Sequence, residues 1–288
     1  MKARENAWCS RLCSAILTAL VIFSLIFALI YILQNQMIFH HVMDQNSREF
    51  LQGNSDFYEV KFVAENGITH HGVMRLATNE KAPLVIYFGG NGEVSYRHMR
   101  TREILRHWPY FAGYHYLFID YQGYGLNSGR THYRNMYETA LAAFEYAVAH
   151  PSVASEQIVV MGYSLGTGSA IYLAANRSVA GLILLTPYAN GYDLYNNVLP
   201  IFHGPLRWLV RQKLPSDQYA PMISAPVLII ASRDDEIIPF ASAKELAALF
   251  AGEVTFMELS GVLHNDVFIA EGVLASIQAF LAAVLEQT

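Results

Sequence analysis

The chain has 288 residues, which suits one large domain with a small appendage, or at most two domains. Hydrophobic residues make up 53% of the chain and charged residues 15%, and the formal net charge is -5. Because no run of Lys or Arg forms a basic patch, this composition argues against nucleic acid as a partner.

The first predicted element is an apolar run over residues 14–33 that contains no charge, proline or glycine. As a helix it is long enough to cross a bilayer core of about 30 Å. A cleaved signal peptide has a shorter apolar core, of about 7–15 residues, and a small-residue cleavage site that this run lacks. A core helix would need burial on every side. We therefore expect an uncleaved signal anchor, with a cytoplasmic segment over 1–13 before it and a linker over 34–56 after it.

Charges beside the apolar run predict its orientation. Lys2, Arg4 and Arg11 precede the run, and the flank that follows it is not strongly basic. The positive-inside rule then places the N-terminus in the cytoplasm and the main domain in the periplasm, the lumen or outside the cell. Cys9 and Cys13 lie in the same N-terminal region, where they are either acylated or idle thiols, and the rest of the chain has no cysteine.

From residue 57 to residue 288, short apolar runs alternate with helical patterns. A turn at 65–67 between two runs predicts an edge hairpin, and the later continuous runs predict a mostly parallel sheet. Strands are predicted at 57–64, 68–76, 83–88, 114–119, 157–162, 181–185, 226–231 and 253–259. Helices are predicted at 94–108, 133–149, 165–176, 241–250 and 272–285. Functional residues of such an α/β sheet should follow the carboxyl ends of its strands.

The sharpest motif is Gly-Tyr-Ser-Leu-Gly at residues 162–166, between a predicted strand and a predicted helix. This pattern places Ser164 on a strained turn, exposed above the sheet and at the N-terminus of a helix. The backbone N–H of Leu165 is placed to stabilise an oxyanion beside this serine. A second donor should come from the glycine-rich loop at 89–93, where glycines allow a close approach of the backbone to a ligand.

A serine nucleophile needs a histidine as base, and the histidine needs a carboxylate to orient it. In this architecture the chain order is serine, acid, histidine. His203 and His264 are the histidines after Ser164, and we favour His264 because it follows the last predicted strand. The acid should be one of the three adjacent carboxylates at 234–236. Asp120 precedes the serine, so we interpret it as a structural residue that caps a loop.

Together these segments resemble the α/β-hydrolase superfamily, and more closely its small membrane-anchored serine hydrolases with one N-terminal span. The resemblance covers about residues 36–288 and rests on residues 120–125 (DYQGYG), the 162–166 motif, residues 235–239 (DEIIP) and residues 261–266 (GVLHND). It implies that Asp235, rather than Asp234, is the acid, that His264 is the base, and that the backbone of Asn91 is the second oxyanion donor. The chain departs from the family at Gly89, where a histidine that supports the loop is usual.

An insert over residues 186–225, rich in Tyr, Pro and bulky apolar residues, is expected to form a small cap above the serine. We expect Gly90, Tyr163 and Tyr188 to contact the substrate, and neither a metal nor a cofactor to be needed. An apolar lining favours acyl groups, so the sequence predicts hydrolysis of carboxylic esters or thioesters through an acyl-enzyme, near the membrane. An amidase or peptidase of the same fold remains an alternative, because a triad does not distinguish esters from amides. A second alternative is a catalytically silent, membrane-anchored binding protein.

Overall fold

A computed structural model describes residues 2–44, 46–54, 56–77, 81–98, 113–198, 202 and 204–286. Its first element is a long helix, α1 (Lys2–Ile38), within which residues Ser10–Ile38 are long and apolar enough to cross a membrane. The helix continues beyond residue 33, where the sequence predicted its end. The apolar run therefore leads without a break into polar residues that contact the rest of the chain.

The segment after α1 folds onto the main domain. A short strand, β1 (Val42–Met43), is followed by helix α2 (Ser47–Gln52), and Phe39, Ser47 and Leu51 are buried. The prediction of a linker over 34–56 is therefore wrong, because this segment forms secondary structure and buries side chains.

Within the described residues, eight strands form one sheet around which the main domain is built. These strands are β2 (Phe57–Val63), β3 (Thr69–Arg75), β4 (Ala82–Phe88), β5 (His115–Ile119), β7 (Val153–Tyr163), β8 (Gly181–Leu185), β9 (Val227–Ser232) and β10 (Val254–Leu259), with β6 (Tyr124–Gly125) paired separately to β1. Their spatial order is β2-β3-β5-β4-β7-β8-β9-β10. Pairing is antiparallel for β2 to β3 and β3 to β5 and parallel for the others, which confirms a mostly parallel sheet with an edge hairpin.

Helices cover both faces of this sheet, and the sheet separates two apolar cores. They are α3 (Ser95–His98), α4 (Tyr133–Ala149), α5 (Gly166–Asn176), α6 (Gly191–Val198), α7 (Ser216–Tyr219), α8 (Phe240–Ala247) and α9 (Val273–Leu285). Side chains of the central strands alternate between the two cores, as burial on both faces requires. Of the helix predicted at 94–108, the structure has Ser95–His98, and residues 99–108 lie outside the described part of the chain.

The described residues between β8 and β9, 186–198, 202 and 204–225, form a small layer above the carboxyl ends of the strands. It contains α6, a short 3₁₀ helix at Gly204–Leu209, and α7. Apolar side chains of this layer, Tyr195, Phe202, Leu209 and Val210, form a third cluster that packs against α1. The insert is thus wedged between the main domain and the long N-terminal helix.

Candidate active site

Ser164 occupies a sharp turn between β7 and α5. Its φ of 50° lies in the left-handed region, which costs free energy for a residue other than glycine. A Cβ at Gly162 would lie 2.7 Å from the Thr167 Cα, and one at Gly166 would lie 2.1 Å from the Phe88 carbonyl oxygen. Only glycine fits either position, so the 162–166 motif holds Ser164 on the predicted turn. The serine is 7% exposed, so it is buried and not exposed as the sequence predicts.

The structure brings Ser164, His264 and Asp235 into one line of hydrogen bonds. The Ser164 Oγ lies 2.8 Å from the His264 Nε2, and the His264 Nδ1 lies 2.8 Å from the Asp235 Oδ2. The side chains of His264 and Asp235 are only 4% and 3% exposed. Because an ionised carboxylate can only accept, Nδ1 carries the ring proton and Nε2 is left to accept from the serine hydroxyl.

The three adjacent carboxylates at 234–236 have different partners. Asp235 faces the His264 ring, and it also accepts the backbone N–H groups of Ile237 at 2.9 Å and Ile238 at 2.8 Å. Asp234 instead accepts the Gly261 N–H at 2.6 Å, and Glu236 accepts the backbone N–H of His264 at 2.9 Å. Asp234 and Glu236 therefore hold the loop that carries the histidine, while Asp235 orients its ring.

Two backbone groups are candidates for the oxyanion hole. Leu165 is the residue before the first turn of α5, and it lines the same cavity as Ser164 and Asn91. The Asn91 side chain fixes its own loop, because its Oδ1 accepts the His40 N–H at 2.9 Å and the Tyr124 hydroxyl at 2.7 Å. Its Nδ2 donates to the Ile38 carbonyl at 2.5 Å, so this loop is tied to the end of α1.

Glu93 supports the glycine-rich loop at 89–93. It lies close to Gly89, the position at which the family usually has a histidine. Its carboxyl accepts the Gly90 N–H at 2.7 Å and the Tyr87 hydroxyl at 2.9 Å. Burial raises the pKa of Glu93 to about 7. A Cβ at Gly89 would lie 3.2 Å from the Glu93 carboxyl carbon and 2.6 Å from the Ser95 Oγ. The polar support that Gly89 cannot supply therefore comes from Glu93, which the sequence reasoning missed.

The three residues expected to touch substrate are placed differently from the prediction, since none of them lines the cavity. Tyr188 is fully buried beside α5 and donates to the Leu165 carbonyl at 3.1 Å. Tyr163 points towards the loop that carries His264. Its hydroxyl donates to the backbone carbonyl of His264 at 3.1 Å, and the centroid of the Tyr163 ring lies 5.5 Å from that of the imidazole. Gly90 lies against the Tyr163 ring and has no side chain to offer. These three residues therefore support the site from outside the cavity.

Two other residues weighed from the sequence can be placed as follows. The buried Asp120 accepts the Ser95 N–H at 2.8 Å, at the start of α3, which agrees with its interpretation as a loop cap. Burial raises its pKa to about 6. His203 lies outside the described residues.

The cavity above Ser164 has a volume of about 320 Å³ and a mainly apolar lining. Its residues come from α1, the glycine loop, the elbow, the insert and the loop after β9: Ile30, Gln34, Met37, Ile38, His40, Asn91, Ser164, Leu165, Leu194, Tyr195, Phe202, Leu214, Glu236 and Ile237. The contribution of α1 was not predicted. A sign of it in the sequence is the pair Gln34-Asn35, since two amides directly after an apolar run need polar partners.

Comparisons with known proteins show what the chain is similar to. Residues 125–269 match the family described as serine hydrolase. An uncharacterised protein of Mycobacterium tuberculosis is 33% identical over 201 residues, which cover 68% of this chain and 70% of the relative. The alpha/beta hydrolase domain-containing protein aho-3 of Caenorhabditis elegans is 29% identical over 162 residues, which cover 56% of this chain and 47% of that protein.

Among solved structures, the esterase Pf2001 of Pyrococcus furiosus superposes with a TM-score of 0.65. The alignment covers 87% of this chain and 96% of the esterase, with 15% sequence identity. At that identity the likeness shows a shared fold, in which a mostly parallel sheet carries its reactive residues at the carboxyl ends of the strands.

Proposed function

Because the chain belongs to the serine hydrolases of the α/β-hydrolase superfamily, we propose that Ser164, His264 and Asp235 are its catalytic triad. The observation that carries this proposal is the pair of 2.8 Å contacts that joins the three side chains in one buried line. A serine hydroxyl at neutral pH is a weak nucleophile without such a base. We further propose that carboxylic esters or thioesters are the substrates.

In the proposed reaction, the Ser164 Oγ attacks the carbonyl carbon while the His264 Nε2 takes its proton. The oxygen of the tetrahedral intermediate accepts the backbone N–H groups of Leu165 and Asn91. His264 then returns the proton to the departing alcohol or thiol, which leaves an acyl group on Ser164. A water molecule, deprotonated by the same nitrogen, then attacks the acyl carbon. The bond from that carbon to the Ser164 Oγ breaks, His264 returns the proton to Oγ, and the acid is released. Asp235 stays ionised throughout and stabilises the imidazolium.

The properties of the cavity support the proposal that it binds the acyl part of the substrate. Its lining is mainly apolar, and it lies directly beside the serine. Burying an acyl chain there gains about 0.8 kcal/mol for each methylene removed from water. The helix segment Ser10–Ile38 supports a location at a membrane, with residues 14–33 in the bilayer. From the flanking charges we propose a cytoplasmic N-terminus and a catalytic domain on the opposite side.

Active-site labelling of the full-length chain tests the triad. Truncation at the end of the apolar run would remove Ile30 from the cavity and leave Gln34 at the new N-terminus, so the whole chain is needed. We expect a fluorophosphonate to label the unaltered protein and not Ser164→Ala, and to label His264→Ala and Asp235→Asn much more slowly. Asp234→Asn is the matched control, because its carboxylate binds the Gly261 N–H instead of the imidazole.

Equal losses in Asp234→Asn and Asp235→Asn would contradict the assignment of the acid. Labelling of Ser164→Ala at the parent rate would contradict the nucleophile. A folded parent protein that takes up no label would favour a membrane-anchored binding protein over an enzyme. With labelling established, p-nitrophenyl esters and the matching thioesters of graded chain length then measure which acyl groups are cleaved.

A further inference from the structure

One wall of the cavity above Ser164 is the C-terminal part of α1. Ile30, Gln34, Met37 and Ile38 all line this cavity together with the serine. Because Ile30, Gln34 and Ile38 follow one another at intervals of four residues, they lie on one face of the helix. The long N-terminal helix is therefore a component of the site.

Buried polar contacts hold this part of α1 in place. Gln34 is 2% exposed, and its Nε2 donates to the Leu209 carbonyl at 2.7 Å while its Oε1 accepts the Arg211 N–H at 2.8 Å. Asn35 donates to the Thr131 carbonyl at 3.3 Å. A buried amide without partners costs free energy, and here both ends of the Gln34 amide are paired. The position of α1 against the cap is thus specified by side-chain chemistry.

Apolar packing extends this contact towards the bilayer. Phe27, Ile30 and Ile38 pack against the cap cluster that contains Tyr195 and Phe202. Ile30 belongs at once to the apolar run 14–33 and to the lining of the cavity. At 1.5 Å per residue, the distance along the helix from Ile30 to Ile38 is about 12 Å. Apolar side chains therefore lead from the membrane part of the helix towards Ser164, on either side of the paired amide of Gln34.

Among the exposed residues that line the cavity, His40, Asn91 and Glu236 are polar, and Met37 and Ile237 are apolar. Met37 is 54% exposed and Ile237 is 43% exposed, and both line the cavity. Trp208, on the cap next to the Leu209 that Gln34 contacts, is 75% exposed. Exposed tryptophan and aliphatic residues beside a membrane-spanning helix are typical of a protein surface that lies at the lipid interface.

We propose that α1 is the acyl-chain wall of the active site, and that the substrate is a membrane-resident acyl ester or thioester whose chain moves from the bilayer along α1 to Ser164. Ile30 and Met37 are then specificity-determining residues for the acyl chain. This inference rests on the proposed function of Ser164, but it adds a route of entry and a role for the anchor in substrate binding.

Crosslinking within the unaltered, full-length protein tests the wall. The probe is a long-chain alkyl fluorophosphonate with a diazirine near the end of its chain, applied to protein in lipid nanodiscs. After it reacts with Ser164, photolysis should join the tryptic peptide 135–177, which contains the serine, to the peptide 12–48, which contains Ile30. With the diazirine close to phosphorus, the crosslinks within this peptide should move from Ile30 towards Met37 and Ile38, which line the same cavity.

Crosslinks that go only to peptides of the main domain or the cap would overturn the acyl-wall proposal, even though Ser164 is labelled. Absence of labelling, in contrast, would contradict the proposed function itself. The two failures are therefore distinguishable in one experiment, and no altered protein has to fold.

Substitution on two faces of the same helix gives a second test. Ile30→Trp fills the cavity wall, so we expect at least a tenfold loss of kcat/KM for a dodecanoate ester and an at least fivefold smaller loss for the acetate ester. Ile32→Trp is the matched control, because Ile32 is 66% exposed and does not line the cavity. Equal dodecanoate and acetate losses, or equal effects of the two variants, would overturn the role of Ile30.

The source of the substrate is tested with a fluorogenic two-chain ester that does not exchange between vesicles. Enzyme reconstituted into the same phosphatidylcholine vesicles as the ester should hydrolyse it at least tenfold faster than enzyme in separate vesicles. Equal rates in the two arrangements would show entry from water and overturn the membrane route.

Discussion

The hydrogen bonds of Asn91 join the proposed oxyanion loop to the end of α1 and to β6. Replacement by alanine removes three of them, to His40, Ile38 and Tyr124, and leaves the backbone N–H in the chain. Each such bond contributes about 0.5–1.5 kcal/mol, and because Asn91 is exposed we take values near the lower limit. We expect Asn91→Ala to lower the free energy of unfolding by about 1–2 kcal/mol.

A larger effect is expected on turnover than on binding. Removal of one oxyanion donor costs about 10²–10³ in kcat, and a donor that is retained but badly aimed should cost part of this. We therefore expect kcat of Asn91→Ala to fall about tenfold for an acetate ester, with KM changed less than twofold. Initial rates of the full-length protein, with the rate of fluorophosphonate labelling, measure both quantities.

Asn54→Ala is the matched control for this effect. The Asn54 side chain accepts the backbone N–H groups of Asp56 at 2.8 Å and Phe57 at 3.0 Å, at the start of β2, and does not line the cavity. It should lower stability by a similar amount with kcat unchanged. Unaltered kcat in Asn91→Ala, or a change confined to KM, would refute the link between this side chain and the oxyanion loop.

Three further predictions concern the support of the loop and of the histidine. The raised pKa of Glu93, about 7 against 4.5, means that the folded chain keeps a proton that the unfolded chain releases, so stability should fall as pH rises from 4.5 through 7. Denaturant titrations at several pH values should show this slope in the parent and a smaller one in Glu93→Gln, and equal slopes would contradict the prediction. Gly89→His, which restores the usual family residue, should lower stability by about 1–3 kcal/mol without raising kcat, because its Cβ would lie 2.6 Å from the Ser95 Oγ; a higher Tm would refute this. Tyr163→Phe loses the hydroxyl that donates to the His264 carbonyl but keeps the ring beside the imidazole, so its labelling rate should fall less than that of Tyr163→Ala; the reverse order would contradict the proposed support.

The strands and most helices were predictable because their signals are local. A strand buried on both faces is a continuous apolar run, and a glycine-flanked serine between such a run and a helix marks one kind of turn. The predicted ends differ from those observed by one or two residues at most strands. The largest difference is at β7, which begins at Val153 rather than at residue 157. The early part of β7 is less apolar, so the pattern gave no sign of it.

The sequence by itself determined the fold class and the position of Ser164, because apolar periodicity and a local motif are enough for these. Chain order left His203 and His264, and the place of His264 after the last predicted strand favoured it. Composition left the three carboxylates at 234–236 equivalent, and the resemblance to the family favoured Asp235. The structure separates them, since a difference of one residue along a loop changes which group the carboxylate faces.

Only the tertiary structure decided that α1 belongs to the site. Gln34 contacts Leu209 across 175 positions of the chain, and no pattern within either segment specifies that pairing. Glu93, four residues after Gly89, likewise supplies the polar support that a histidine at position 89 would give. Its carboxyl occupies the space that the missing side chain of Gly89 leaves open. Both contacts depend on the three-dimensional approach of segments, which the amphipathic periodicity and motifs of a single sequence do not encode.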